Sequence, residues 1–308
     1  MNIYLPIAEM SVNVAVFLSM GCAVGFLSGM FGVGGGFLLT PLLIFMGVPS
    51  AVAVGTGSMQ ILASSVAGAV AQYRRNNVDI KMGLVLVAGG VVGAGIGVAL
   101  VRVLRQIGQF DLFVSLSYVL FLGAVGGLML IESVGTIRRA RSGQPVSVRK
   151  TGQHSWVHGL PFKMRFKRSK LYISAVPPAA IGAFVGFMAA LMGVGGGFVM
   201  VPAMIYLLRV PTSVVIGTSL FQILFVMAAT TLLQAMQNKT VDVVLALLLI
   251  VGGVVGAQIG VIAGARLKGE QLRFLLAALV LLVCLRIGWE LIARPGEIYS
   301  IGPLLGAG

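Results

Sequence analysis

The sequence predicts an all-α integral membrane protein built from two inverted repeats, each with four spanning helices and one short half-helix or re-entrant segment. Three observations support this prediction: a strongly apolar composition, eight apolar runs of bilayer length, and motifs that recur in both halves. Of the 308 residues, 58% are hydrophobic and 10% are charged, and the mean hydropathy is +1.04. A soluble domain of this length cannot bury so much apolar surface.

The eight long apolar runs each approach the ~20 residues that a spanning helix requires. They lie at 12–30, 51–72, 84–101, 112–131, 171–192, 213–236, 243–265 and 272–291. The first is expected to be an uncleaved span, because no basic residues precede it as they do in a secretory signal. Two further runs, 37–46 and 198–208, are only half as long. Cys22 and Cys284 fall inside spans and are expected to act as small apolar residues.

The net charge of +14 is concentrated in one segment, which argues against a nucleic-acid-binding protein. Ten Lys and Arg residues fall within 138–170. Such loops mark the cytoplasmic side, so a cytoplasmic linker is expected, with binding of anionic lipid or a regulator as the alternative. The predicted organisation is a first repeat at 1–131, the basic linker at 132–170, a second repeat at 171–294 and a C-terminal tail at 295–308.

The two halves repeat a series of motifs in the same order. The matching pairs are 32–37 with 193–198 (GVGGGF), Val48-Pro49 with Val210-Pro211, Gly55-Thr56 with Gly217-Thr218, 60–62 with 222–224 (QIL), Gln72 with Gln234, Val78-Asp79 with Val241-Asp242, and 89–94 with 252–257 (GGVVGA). The offset between the copies drifts by only two residues along the series. Chance does not produce such a series, so the halves are expected to share one fold.

If the linker is cytoplasmic, the alternation of the spans fixes the membrane side of all the remaining loops. The basic residues then placed in the cytoplasm are Arg74, Arg75, Lys81, Arg209, Arg266, Lys268 and Arg273, and those placed outside are Arg102, Arg105, Lys239 and Arg294. With the short run counted, each half makes an odd number of crossings, so the second half is inserted upside down. Inverted repeats are typical of secondary transporters, which bind substrate near the midplane between the halves.

A GVGGG sequence precedes each short apolar run. It does not match a nucleotide-binding loop, because no strand precedes it and no acidic residue follows about 20 positions later. Consecutive glycines break a helix, and unwound backbone in a membrane survives where it lines a cavity or is buried in protein. Each short run would then be a half-helix of ~15 Å, with Pro41 or Pro202 near its first turn. Its N-terminal N–H groups would form an anion site; close helix packing is the alternative.

Polar side chains on the next long run could complete such a site. Thr56, Gln60 and Ser64 lie on one helix face, and Thr218 and Gln222 repeat the first two. They would donate to an oxyanion or, as an equally open alternative, form interhelical hydrogen bonds. The candidate substrate-binding residues are Gly32, Gly34, Gly35, Gly36, Thr56, Ser58, Gln60, Gly193, Gly195, Gly196, Gly197, Thr218, Ser219 and Gln222.

The remaining conspicuous residues are expected to have structural roles. Arg286 should pair with Glu290 four residues later, and Asp79 and Asp242 should be solvated at span ends. Because both histidines lie in the linker, a buried metal or haem centre, an enzyme and a cofactor are not expected. The glycines at four-residue spacing should pack helices together: Gly89, Gly93, Gly97, Gly252, Gly256, Gly260 and Gly264.

Two GVGGG loops, each followed by a short proline-containing apolar run in an inverted-repeat chain, resemble the TauE/SafE family of sulfite and organosulfonate exporters. The resemblance covers nearly the whole chain apart from the linker and the C-terminal tail. It implies transport of sulfur-containing anions such as sulfite, thiosulfate, sulfoacetate or taurine across the cytoplasmic membrane of bacteria. The expected partners are therefore a small anion and membrane lipid, with a homo-oligomer as a further option.

Physical considerations favour export over import. Moving one elementary charge through the membrane potential is worth ~2.3 kcal/mol per 100 mV, so an anion leaves a negative interior without a coupling ion. An anion channel and a non-transporting scaffold that uses the linker are the alternative functions.

The charge distribution predicts that both termini face the periplasm and that the linker faces the cytoplasm. In a Cys22→Ala/Cys284→Ala background, a membrane-impermeant thiol reagent added to intact cells should label Gly306→Cys and leave Ser142→Cys unlabelled. Labelling of Ser142→Cys from outside would contradict the predicted topology.

Overall fold

The two halves of the chain contain the same elements in the same order. The computed structural model describes residues 2–31, 36–141, 163–166, 168–169, 171–208, 210–264 and 269–293. The first half contains the hairpin β1 (Asn2–Leu5) and β2 (Met10–Asn13), then α1 (Val14–Phe31), α2 (Gly36–Phe45), α3 (Ser50–Arg74), α4 (Ile80–Ile107) and α5 (Phe110–Arg141). The second contains the hairpin β3 (Lys163–Phe166) and β4 (Leu171–Ser174), then α6 (Val176–Met192), α7 (Gly197–Tyr206), α8 (Thr212–Leu233), α9 (Val243–Gly264) and α10 (Gly269–Ala293).

The predicted all-α membrane fold is confirmed. Large apolar side chains such as Leu120, Leu285 and Ile292 are exposed on the outer faces of the helices, as expected for contact with lipid. The helices that are long and apolar enough to cross a membrane are Ser50–Arg74, Ile80–Ile107, Phe110–Ile131, Val214–Asn238, Val243–Gly260 and Phe274–Ala293.

The first and fifth predicted spans are shorter than expected, because each begins with a strand. Val12 belongs to β2, and the predicted span at 171–192 starts as β4 and becomes helical only at Val176. Leu171 and Ile173 are buried while Tyr172 between them is exposed, which is the alternation of a half-buried strand. The prolines in the first turn of α6 mark where the helix begins.

The two short apolar runs form α2 and α7, each ten residues long. Pro41 and Pro202 lie six residues into these helices, one turn later than predicted. Because proline has no N–H group, each removes the intrahelical partner of a carbonyl four residues earlier, that of Phe37 or Phe198. The first turns of α2 and α7 are therefore less completely hydrogen-bonded than those of an ordinary helix.

The first helix of each half packs against the fourth helix of the other half. α1 lies along α9, and α6 lies along α4. A Cβ atom on Gly93 would collide with the carbonyl of Ala183, and one on Gly256 would collide with the carbonyl of Cys22. Glycine is needed at these positions because the two main chains are in direct contact. The predicted packing role is confirmed for Gly89, Gly93, Gly97, Gly252, Gly256 and Gly260.

The third helices of the two halves, α3 and α8, pack against each other between these pairs. Asp79, beyond the end of α3, hydrogen-bonds Thr218 near the start of α8, and Asp242, beyond the end of α8, hydrogen-bonds Thr56 near the start of α3. The two helices therefore run antiparallel, as equivalent helices of inverted repeats would. The fifth helices, α5 and α10, also pack against each other.

The main-chain contact between α4 and α6 predicts a contrast between two neighbouring glycines. Gly93→Val should destabilise the protein by about 2–3 kcal/mol, because the new side chain cannot fit against Ala183. Gly95→Val is the matched control, since a Cβ atom at Gly95 would have no neighbour within 4 Å. The measurement is the yield and melting temperature of detergent-purified protein. Equal behaviour of the two variants would refute the close contact.

Candidate functional site

The two short helices begin next to each other inside the protein. The ring centroids of Phe37 and Phe198, the second residues of α2 and α7, are 5.8 Å apart. A Cβ atom on Gly36 would lie 2.6 Å from the carbonyl oxygen of Val194, so the loop of the second half touches the start of α2. The residues around this contact, 36–41 and 185–186 with 188–198, are buried. The N-termini of the half-helices thus meet in the protein interior.

The predicted break between half-helices is present in the second half of the chain. Gly193, Gly195 and Gly196 have φ angles of +67°, +75° and +69°, which favour glycine strongly. Gly193 ends α6 by donating its N–H to the carbonyl of Ala189, and Gly196 caps the start of α7. The corresponding first-half residues Gly32, Gly34 and Gly35 lie outside the described residues.

The start of α7 presents free main-chain N–H groups. Within the described part of the chain, no hydrogen bond is made by the N–H groups of Gly195, Gly196 or Gly197. Such groups carry the positive end of the helix dipole, which attracts anions. This arrangement can bind an anion without a charged side chain.

Two glutamines with unsatisfied amide oxygens lie on the central helices. Gln60 on α3 is 3% exposed and Gln222 on α8 is 1% exposed. Neither Oε1 atom has a hydrogen-bond partner among the residues that the structure describes. A buried acceptor without a partner costs about 1–3 kcal/mol. Helix packing alone therefore gives no physical reason for an amide at either position.

The two glutamines occupy equivalent surroundings. The Nε2 atom of Gln60 would lie 2.9 Å from a Cβ atom on Gly253 of α9, and that of Gln222 would lie 2.9 Å from one on Gly90 of α4. Ile61, next to Gln60, contacts the loop, because a Cβ atom on Gly195 would lie 2.7 Å from its Cγ2 atom. Gln60 thus directly precedes, in the sequence, a residue that contacts the glycine loop.

The hydroxyl groups among the candidate residues are already bonded within the protein. The Ser58 hydroxyl donates to the carbonyl of Val54 at 2.9 Å, and the Ser219 hydroxyl donates to that of Ile216 at 3.1 Å. Thr56 and Thr218 accept main-chain hydrogen bonds from the other half of the chain. The glutamines thus differ from these four residues in having an unpaired polar atom.

Asp79 and Asp242 are buried, so the prediction that they are solvated is wrong. Their exposed fractions are 3% and 0%. The Oδ1 atom of Asp79 accepts from the N–H of Met82 at 3.3 Å, and that of Asp242 accepts from Leu245 at 3.1 Å. Each carboxylate therefore caps the helix that follows it, where main-chain N–H groups and the helix dipole replace water.

Each aspartate also joins the two halves of the chain. Its N–H donates to a threonine of the other half: Asp79 to Thr218 at 3.1 Å, and Asp242 to Thr56 at 3.0 Å. The Oδ2 atom of Asp79 accepts from the N–H groups of Arg168 and Ser169 and from the Ser169 hydroxyl, at 2.9–3.1 Å.

The Oδ2 atom of Asp242 accepts from the N–H of Ile7 at 3.1 Å. The turn of each β-hairpin thus donates main-chain hydrogen bonds to an aspartate of the other half. We call Asp79 with Thr218, Arg168 and Ser169 the Asp79 clasp, and Asp242 with Thr56 and Ile7 the Asp242 clasp.

The two clasps lie at opposite ends of the antiparallel pair α3 and α8. α3 has 25 residues and is therefore ~38 Å long, which exceeds the ~30 Å hydrocarbon core of a bilayer. Ile61, which contacts the glycine loop, lies near the middle of this helix. The start of α7 thus lies between the two clasps.

Sequence reasoning missed two hydroxyl groups that hold the second glycine loop. Thr40 on α2 donates to the carbonyl of Gly193 at 3.3 Å, and Tyr118 on α5 donates to that of Met192 at 2.6 Å. Both side chains are buried, and Val201 stands at the position that matches Thr40 in the other half. A single polar residue in an apolar run gives no periodic signal that could have identified either one.

Arg286 forms the predicted pair with Glu290, at 3.1 Å between Nη2 and Oε1. Its guanidinium also lies over the ring of Phe45, 5.4 Å from the ring centroid. Among the described side chains there is no group of three or more His, Cys, Asp or Glu that could hold a metal ion.

Comparisons with known proteins relate the chain to membrane transporters. A sequence model of the family described as "Sulfite exporter TauE/SafE" matches residues 17–287. The chain is 27% identical over 275 residues to a probable membrane transporter protein, YjnA, of Bacillus subtilis, covering 89% of this chain and 99% of that protein. It is 29% identical over 282 residues to a probable membrane transporter protein of Xylella fastidiosa, covering 90% and 96%.

A plant protein is also similar over part of its length. "Sulfite exporter TauE/SafE family protein 3" of Arabidopsis thaliana is 28% identical over 131 residues, which is 41% of this chain and 28% of the plant protein. No solved structure matches the chain.

The clasps predict a ranking of stabilities for three aspartate variants. Asp79→Ala should lower the free energy of unfolding most, by about 2 kcal/mol or more, because its carboxylate accepts four hydrogen bonds. Asp242→Ala should follow, since its carboxylate accepts two. Asp111→Ala is the control, because this carboxylate is exposed and its loss should change stability by less than about 0.5 kcal/mol. Thermal unfolding in detergent measures the ranking, and an unchanged Asp79→Ala variant would contradict it.

Proposed function

The chain belongs to the TauE/SafE family of membrane transporters, and we propose that it exports a small sulfur-containing anion, sulfite or an organosulfonate. The observation that carries the proposal is the meeting of two half-helix N-termini inside the protein, at Phe37 and Phe198. The family description and the printed name of the plant relative both refer to sulfite export and support this choice of substrate.

Recognition in this proposal depends on uncharged donors. The N–H groups of Gly195, Gly196 and Gly197 bind the oxygen atoms of a sulfite or sulfonate group, and the amides of Gln60 and Gln222 contribute further donors. A fixed lysine or arginine at this depth would be expensive to place in a membrane. Neutral donors avoid that cost, and they also allow the anion to leave again.

Transport requires that the site open to one membrane face at a time. We propose that the Asp79 clasp and the Asp242 clasp close the two faces and are released alternately. Their position at opposite ends of α3 and α8 supports this role, and so does the antiparallel packing of these equivalent helices. The halves then act as inverted repeats that exchange roles between the inward-open and outward-open states.

The membrane potential supplies the driving force in this proposal. An anion with one negative charge gains ~2.3 kcal/mol per 100 mV when it leaves a negative interior. We place the protein in the cytoplasmic membrane of a bacterium, with the basic linker at 132–170 in the cytoplasm, because this orientation satisfies the positive-inside bias.

Replacing the glutamines tests the site directly. Gln60→Leu and Gln222→Leu should each reduce sulfite efflux from proteoliposomes by ~10-fold or more, because each removes a donor to a charged ligand. Thermal stability should be unchanged or higher, since the unpaired amide oxygens disappear as well. Ser58→Ala is the matched control, because that hydroxyl bonds only its own helix, and it should keep normal efflux.

Normal efflux per folded molecule in both leucine variants would reject the glutamines as substrate contacts. Failure of the unsubstituted protein to move sulfite, thiosulfate, sulfoacetate or taurine would reject the substrate class. Single-channel currents would indicate a channel in place of an alternating-access carrier.

A further inference from the structure

A polar pocket opens where the end of α4 meets the chain just after α8. It is lined by Arg102, Arg105, Gln106, Gln237 and Asn238. Both arginines are exposed, and none of the residues that line it is acidic. The pocket therefore carries net positive charge.

The main chain of α8 changes its geometry at this pocket. After Leu233, the last residue of α8, the chain continues as a π-helical turn, Gln234–Asn238, and Lys239 follows with a φ angle of +50°. Single π-helical turns are rare in proteins, and those that do occur are often found at functional sites. Together with Arg102 and Arg105, Lys239 brings three basic residues to one end of the molecule.

Arg105 is held in place by the π-helical turn. Its Nη1 atom donates to the carbonyl oxygen of Asn238 at 2.9 Å. A guanidinium has five N–H donors, so this bond fixes its orientation and leaves other donors for a ligand. Arg102, three residues earlier, lies on the same face of α4. Two guanidinium groups on one face can bind a small oxyanion through several parallel hydrogen bonds.

A chain of buried hydrogen bonds leads from this pocket toward the glycine loop. The Nδ2 atom of Asn238 donates to the Oε1 atom of Gln234 at 2.6 Å, and the Nε2 atom of Gln234 donates to the carbonyl of Ala190 at 3.2 Å. Gln234 is fully buried, and Ala190 precedes the loop residue Gly193 by three positions. Polar groups thus connect the surface pocket to the end of α6.

We propose that the pocket at Arg102 and Arg105 is a second anion-binding site, which takes small oxyanions at the membrane face next to the Asp242 clasp. Asp242 follows Asn238 by four residues, so the pocket adjoins the clasp that closes this face in the proposed cycle. Its role as a vestibule for the transported anion depends on the proposed function, whereas oxyanion binding itself does not.

Equilibrium binding of radiolabelled thiosulfate to the purified full-length protein, at fixed ionic strength, tests the proposal. Arg102→Gln keeps the bond between Arg105 and Asn238 and should therefore fold normally, yet it should weaken binding at one class of site by ~10-fold. The double variant Arg102→Gln/Arg105→Gln should abolish binding at that class. The Gln60→Leu/Gln222→Leu variant should retain it.

The matched control is Arg74→Gln/Arg75→Gln. These arginines stand at the positions that match Gln237 and Asn238 in the other half, and they carry the same total charge as Arg102 and Arg105. This control should bind thiosulfate like the unsubstituted protein. Unchanged binding by Arg102→Gln and the double variant would overturn the proposal, and so would an equal loss in the control, because the arginines would then act only through overall charge.

These outcomes separate the second site from transport. If the protein binds thiosulfate through Arg102 and Arg105 but moves no sulfur-containing anion, the proposed function fails and the site stands. If efflux proceeds and binding is independent of both arginines, the site fails and the proposed function stands.

Discussion

A main-chain N–H group inside a membrane must be kept away from lipid, because lipid offers it no hydrogen-bond partner. A helix that breaks at mid-membrane therefore has to be surrounded by other parts of the chain. Here the break at 193–196 lies against α3 and α6, and every residue from Met188 to Phe198 is buried. Glycine makes this enclosure possible in two ways: it adopts the positive φ angles of the loop, and it lets α4 and α6 approach until their main chains touch.

The two halves are similar but not identical, and the first half supplies side chains that bind the described glycine loop of the second. Hydroxyl groups of Thr40 and Tyr118, both from the first half, bind carbonyls at the end of α6. They occupy acceptors next to the loop, while the N–H groups of Gly195, Gly196 and Gly197 make no hydrogen bond within the described part of the chain, which increases the positive character of the loop as seen by a ligand. A site between the two halves would thus be contacted unequally by each half, although the main-chain fold is nearly the same.

Much of the fold could be predicted from the sequence because helices in a membrane need long apolar runs. The positions of α3, α4, α5, α8, α9 and α10, the two half-helices and the glycine contacts all follow from run length and spacing. The β-hairpins were missed, since their strands are four residues long and continue directly into apolar helices.

The candidate site was only partly predictable. Gln60 and Gln222 stand out as candidates because they repeat, whereas the location of Asp79 and Asp242 near span ends suggests solvent, although each stands directly before a helix, where a carboxylate commonly acts as a cap. Their bonds to Thr56, Thr218 and the hairpin turns join residues up to 235 positions apart, which no local pattern reveals.

The packing of the first helix of each half against the fourth helix of the other half has a consequence for the synthesis of the protein. α1 is made first, but the surface that covers its glycines belongs to α9, which is completed more than 200 residues later. Until α9 has been made, Gly21 and Gly25 of α1 lack the helix against which they pack in the complete protein. The N–H of Ile7 likewise lacks the Asp242 carboxylate to which it donates. The first half is therefore an incomplete folding unit when it leaves the ribosome, and cellular quality control has a long interval in which to recognise it.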